Sequence, residues 1–248
     1  MMIYGIDQLG FKNVLEILQN PAKAQLNQQS KDQIIKSQQN VQKIVASDRT
    51  VYGINTGFGP LCDVKISEEE TAQLQHNLII SHAVGVGKPI HKNISKIMMI
   101  SKIHALSKGF SGVSLDVIER LILMLELDII PVVPEQGSVG ASGDLAPLAH
   151  LVLPLLGLGQ VWENDEIKVT SEVLEKHNIQ PLKLGPKEGL GLINGTQFIL
   201  AHAITGLAKF EYLLDLADLT AAMSLEAYRG SASPFKKELH EIRPFDGS

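Results

Sequence analysis

From Thr196 to Arg229 the sequence contains no proline and a single glycine, Gly206. A run of 34 residues with that composition predicts one helix about 50 Å long, at 1.5 Å of rise per residue. Its apolar positions, among them Phe198, Ile204, Leu207, Leu213, Leu219 and Met223, cover much of the circumference. A helix of that kind needs neighbours along its length, so it reads as a central member of a helical bundle rather than a surface helix.

The remainder of the chain is consistent with a mainly α fold. Aromatic residues make up 5% of the sequence, and alternating β-branched runs are few. Apolar residues recur at helical spacing over 7–19, and a second helix is predicted over 30–46 with Ser30 as its N-cap. Ser67 and Glu70 form a capping-box pattern that opens a helix reaching about residue 81. The segment 92–109 reads as amphipathic and stops at Gly109, and 114–129 repeats the pattern before Pro131. "VWENDEIKV" (161–169) is the strongest hairpin signal. Two domains are expected: a globular helical domain over 1–190, then the first long helix of the bundle over 191–248.

Composition excludes several classes of function. The net charge is −5 and no Lys/Arg-rich run occurs, which argues against a nucleic-acid partner. No uncharged apolar run reaches the roughly 18 residues that a membrane span needs. A single cysteine, Cys62, rules out an internal disulfide and suits a reducing cytoplasm. The first twenty residues lack the pattern of a signal peptide.

Three glycine-rich islands interrupt the helices: "VYGINTGFGP" (51–60), "GSVGASGDLAP" (137–147) and "GLGLINGTQ" (189–197). None is a phosphate cradle. "GLGLIN" carries Asn194 where a GxGxxG needs glycine, and "GVGKPI" lacks the spacing of a P-loop. "GASGD" has Asp144 where a GxSxG nucleophile elbow needs glycine. There is no HExxH and no set of cysteine ligands for zinc, so no metal site is expected.

Ala141-Ser142-Gly143 offers different chemistry. The Gly143 nitrogen is the least hindered amide available, and a sharp bend would bring it onto the Ala141 carbonyl carbon. Closing a five-membered ring there expels the carbonyl oxygen as water. Loss of the Ser142 hydroxyl as a second water leaves an exocyclic methylene. The product is an electrophile, made from groups that are otherwise only nucleophiles, and Asp144 stands beside it as a candidate proton shuttle.

The fourteen residues "GSVGASGDLAPLAH" (137–150) resemble the prosthetic-group loop of the aromatic amino acid ammonia-lyases, which form 4-methylideneimidazole-5-one (MIO) from an internal Ala-Ser-Gly. "YGINTGFG" (52–59) is similar to their tyrosine loop and "LINGTQ" (192–197) to their asparagine motif. "FSGVS" (110–114) and "SPFKKELHEIRPFDG" (233–247) also look familial, and the similarity extends from about residue 45 to the end.

The resemblance implies roles for individual residues. Ala141, Ser142 and Gly143 would become MIO, with no external cofactor. Tyr52 would remove the substrate β-proton, which requires its pKa of about 10 to be lowered. Gly59, with Gly53 and Gly57, would let the tyrosine loop fold over the ligand. His82 would contact a substrate imidazole, because Ser81-His82 looks like the histidine-specific version of that position. Asn194 would bind substrate or the MIO oxygen while competing with Thr196 to cap the long helix. Asp144 would support the loop, and His104 and His150 read as structural.

The implied reaction is non-oxidative loss of ammonia from L-histidine to give trans-urocanate, the first step of histidine degradation. Phenylalanine- or tyrosine-specific lyases and the related aminomutases stay open as alternatives, as does an inert helical assembly module. Family members are longer than this chain and usually read closer to "RPHPGQ" where this one has "RPFDGS", so Phe245 and Ser248 are off-pattern. The chain is therefore expected to be an N-terminal fragment, inactive by itself and prone to self-association. The full-length enzyme is expected to be a homotetramer with further site residues, including an arginine, beyond residue 248.

Overall fold

The computed structural model describes residues 1–47, 51, 53, 54, 56, 68–139, 143–242 and 245. The chain divides into two compact units, Met1–His202 and Ala203–Ser248. In the first unit β1 (Met2–Ile3), α1 (Phe11–Gln19), β2 (Ala24–Gln25) and α2 (Gln28–Val45) are followed by α3 (Glu68–His82), β3 (Val86–Pro89), α4 (Lys92–Ser107) and α5 (Leu115–Glu126). Next come β4 (Ile130–Pro131), β5 (Pro134–Gln136), α6 (Leu145–Val152), β6 (Gln160–Glu163), β7 (Glu166–Val169), α7 (Thr170–Lys176) and α8 (Glu188–Ile193). The long helix, α9 (Gln197–Ala227), begins in this unit and continues into the second, which also holds α10 (Lys237–Glu241). The expected mainly α class is what the structure has. The units divide inside α9, and α8 packs on α3 and α6 within the first.

The strands form three small patches: β1 beside β2 in parallel, β3 against β5, and an antiparallel β4-β6-β7 sheet. The predicted hairpin is β6–β7. Asn164 and Asp165 take φ of 49° and 62° at its turn, the left-handed pair that matches the twist of a two-residue hairpin. The other strands are two to four residues long, too short for a period of two to register in the sequence.

The core is organised around α4, which packs against α1, α2, α5, α6 and β4. Ile97, Met98, Met99, Ile100 and Ile103 are all buried, each contributing about 1.5–3 kcal/mol by leaving water. The amphipathic reading of this segment does not hold, since its polar side is buried too: Ser95, Ser101, Lys102, His104 and Ser107 all lie inside. Three of these spend their polar atoms on backbone. Ser107 Oγ donates to Ile103 O at 2.7 Å, His104 Nδ1 accepts the Gly5 N–H at 3.3 Å, and Lys102 reaches two carbonyls.

Two caps differ from expectation, that of α2 and that of α9. Asn27, not Ser30, caps α2, its Oδ1 accepting the Ser30 N–H at 2.8 Å. Ser30 is buried, and its hydroxyl donates to Tyr4 O at 2.7 Å. Ser114 caps α5 through the Val117 N–H. The long helix has 31 residues where 34 were expected, about 46 Å, and it ends where Arg229 turns to φ 48°.

Candidate active site

The loop that follows β5 is drawn together at its described ends. Val139 N–H donates to Gly143 O at 3.0 Å, and Gly143 also bridges in parallel to Gly195. Gly195 has φ of 149°, a backbone conformation that residues with a Cβ rarely adopt, so a side chain at this crossing would be strained. Ala141 and Ser142 lie outside the described residues. Gly143 is thus fixed on both sides by backbone pairing at the entrance to α6.

Asp144, next in the chain, is fully buried. Its Oδ1 accepts the Ser138 hydroxyl at 2.6 Å, and its Oδ2 accepts the N–H groups of Phe198 and Ile199 at 3.0 Å each. Those amides are the second and third of α9, and otherwise they would have no partner. The cap of the long helix therefore comes from a carboxylate 54 residues away, and neither Asn194 nor Thr196 supplies it. The carboxylate sits at the positive end of α9, where its charge is favoured. With three donors on two oxygens, Asp144 anchors the loop to α9.

Asn194 instead closes the end of α8. Its Nδ2 donates to Leu190 O at 2.9 Å, and the rest of its side chain is exposed. Helix α8 is held against α3 by a close approach at Gly189. A Cβ there would meet the Gln75 carbonyl oxygen at 2.7 Å. The buried Gln75 side chain accepts the Leu190 N–H at 3.1 Å.

His82 is the last residue of α3. Its Nδ1 lies 2.8 Å from Leu78 O. A carbonyl only accepts, so the neutral ring carries its proton on Nδ1 and presents Nε2 as an acceptor. Beyond α3 the chain is steadied by His150, whose Nε2 accepts the Gly85 N–H at 3.0 Å. Burial holds the His150 pKa below the usual histidine range, as this acceptor role requires. His104 is lowered for the same reason while it accepts from Gly5.

Tyr52 and Gly59 lie outside the described residues. Nearby, Gly53 N–H donates to Thr56 Oγ1 at 3.2 Å and Ile54 N–H to Val51 O at 3.1 Å, a tight turn with Ile54 and Thr56 buried. Among the described residues no group of three or more His, Cys, Asp or Glu could hold a metal ion, and no helix is long and apolar enough to cross a membrane.

Of the residues singled out in the sequence, Gly143, Asp144 and the Asn194–Gly195 turn are brought together. Helix α3, which ends at His82, packs on α8 and α6. Two further residues were not visible beforehand. Gln75 looks like any polar helix residue, and Lys102 sits where an amphipathic helix would put a surface lysine.

Residues 9–248 match the family model described as aromatic amino acid lyase. The chain belongs to that family. Among curated aromatic amino acid lyases it is similar to histidine ammonia-lyase of Streptococcus gordonii, 42% identical over 243 residues, which are 97% of this chain and 47% of that protein. Among solved structures it resembles histidine ammonia-lyase from Trypanosoma cruzi, with a TM-score of 0.90, 33% identity, and coverage of 99% of this chain and 48% of that one. Tyrosine aminomutase from Streptomyces globisporus also has a TM-score of 0.90, with 32% identity over 100% of this chain and 47% of that one. The chain spans about half the length of the curated relatives it matches. The lyase and aminomutase members share this scaffold at similar TM-scores, so the backbone alone does not separate their reactions.

Proposed function

We propose that this protein is a histidine ammonia-lyase, removing ammonia from L-histidine to give trans-urocanate. The observation that carries the reading is the anchoring of Gly143. Its carbonyl is paired with Val139, its strand bridges Gly195, and the adjacent carboxylate is locked to α9. An amide that must attack its own chain needs a backbone held in one unusual geometry, and such a frame suits that need.

The residues present fit MIO. Ala141, Ser142 and Gly143 would form it by the two dehydrations described above, and the resulting ring supplies an electrophilic methylene. Around it the chain has separable tasks. Asp144 holds the loop to the N-terminus of α9. Asn194 offers its side-chain oxygen at the turn beside Gly143. Tyr52, once deprotonated, takes a proton from the substrate β-carbon; a positioned base of this kind contributes about 10²–10⁴-fold.

Histidine is favoured over phenylalanine by His82. A ring whose Nδ1–H is committed to Leu78 presents an acceptor lone pair. A substrate imidazole N–H can donate to that lone pair, and a phenyl ring cannot. The relatives named histidine ammonia-lyase support the same substrate. A homotetramer in the cytoplasm belongs to the same proposal.

The test uses the natural full-length protein. Intact-mass analysis should find the protein lighter by two waters, with the loss mapped by peptide mass to the tryptic segment holding residues 141–143, and L-histidine should yield urocanate, read by its ultraviolet absorbance. An unmodified triad would sink the MIO reading. Turnover of tyrosine or phenylalanine in preference to histidine would sink the substrate assignment and leave the lyase chemistry standing.

A further inference from the structure

Lys102 lies in the middle of α4 and is 2% exposed. Its Nζ donates to Gly191 O at 2.9 Å and to Asn194 O at 2.6 Å. Both described partners are carbonyls. Burial pushes its pKa down to about 7, well below the ordinary lysine value, so the residue is costly to keep charged where it is.

What it does there follows from how α8 ends. A helix commonly closes on a left-handed residue whose N–H returns to the last carbonyls. Here the residue that ends α8, Asn194, is extended, with φ −81° and ψ 131°. That conformation sends the chain straight on to Gly195, which bridges Gly143. The exit direction leaves helix-end carbonyls without the usual donors, and Lys102 supplies one from a different helix. It grips a carbonyl inside α8 and another beyond its end, and so spans the turn. Because the peptide is planar and trans, holding Asn194 O toward α4 points the Gly195 N–H the opposite way, away from the core. The Asn194 side chain and the Gly195 backbone then share one fixed orientation.

We infer that Lys102 is a positioning residue of the active site, setting the Asn194–Gly195 peptide against Gly143 so that the triad is held for ring closure and Asn194 is aimed at its ligand. This rests on the reading that the triad cyclises. Either protonation state of the amine has hydrogens for both carbonyls, so the clamp persists on both sides of neutrality.

The experiment compares natural full-length protein with Lys102→Met, which keeps the stem and removes the donor, and Lys102→Gln, which restores a shorter donor. Dehydration at 141–143 is read by intact mass, folding by helical signal and a cooperative melt, and catalysis by kcat and KM separately. Lys102→Met is expected to fold, yet to lose kcat or the dehydrated fraction by about tenfold to a hundredfold, the scale of a misplacement near 1 Å. Lys102→Gln is expected to recover part of that loss. A Lys102→Met protein with normal dehydration and kcat but a lower melting temperature would overturn the inference, leaving Lys102 a packing residue. Insolubility of both variants would overturn it as well, because Lys102 would then be a requirement of the fold and not of the site. Unmodified wild-type protein, in contrast, would defeat the cyclisation reading itself.

Discussion

Asp144 shows how one carboxylate can couple a loop to a distant helix. Removing it leaves two amides at the start of α9 and the Ser138 hydroxyl without their acceptor, the Phe198 amide in a buried place and the other two groups partly buried. Asp144→Ala is therefore expected to cost about 3–5 kcal/mol, as a lower urea midpoint at unchanged slope. Asp144→Asn keeps an acceptor toward α9, and Asn caps helices about as well as Asp, so it should cost no more than about 2 kcal/mol. If Asp144 is an anchor, the Asn variant retains the dehydrated triad. Loss of dehydration in a well-folded Asp144→Asn protein would favour the proton-shuttle reading.

Lys102 makes a pH prediction whose sign follows from its lowered pKa. The unfolded chain holds this proton up to about 10.5, while the folded chain releases it near 7. Below pH 7 both states are protonated and the cost of burying the charge is felt in full. Between pH 7 and about 10.5 the unfolded state binds more protons, so this residue's contribution to stability rises with pH. The stability of wild type relative to Lys102→Met should be flat below pH 7 and climb above it. A difference independent of pH would contradict this.

At the scale of elements, two glycines in helices make opposite predictions. Gly189 lets α8 approach the α3 backbone, and a Cβ there would press the Gln75 carbonyl oxygen at 2.7 Å. Gly189→Ala gains at most about 1 kcal/mol of helix propensity, and the strain of forcing the helices apart should outweigh it, for a net loss of about 1–3 kcal/mol. Gly206, inside α9, has nothing within 4 Å of its Cβ position. Gly206→Ala should raise stability by up to about 1 kcal/mol, because only the propensity term acts. Thermal melts of the two variants should move in opposite directions.

For the whole molecule, the part of α9 beyond His202 leaves large apolar side chains in water. Leu213 and Leu219 are each 57% exposed, Phe210 is 56% exposed and Met223 is 63% exposed. Soluble monomers rarely tolerate apolar patches larger than a few hundred Å². This chain is therefore expected to self-associate, a second copy being the simplest cover, with light scattering giving a mass above 27.0 kDa. Leu213→Glu with Leu219→Glu should shift it toward the monomer with little change in melting of the first unit. A monomeric wild type would refute the expectation.

Much of the fold could be read locally. The α9 run and the β6–β7 turn are encoded by residues within a few positions of one another, where period and turn chemistry act. The chemistry proposed for Ala141-Ser142-Gly143 likewise rests on three adjacent residues. Other features depend on pairs far apart in the chain. The cap on α9 joins Asp144 to Phe198, the clamp on α8 joins Lys102 to Asn194, and the seat of α8 joins Gln75 to Gly189. In each case the local sequence suggested a nearer partner or a solvated face: Asn194 or Thr196 for the cap, an exposed lysine on an amphipathic α4. Periodicity reports which side of a helix is apolar, but not whether the polar side also meets protein. Only the tertiary structure decided that, because a buried lysine or carboxylate is tolerable only where another segment delivers the backbone groups that satisfy it.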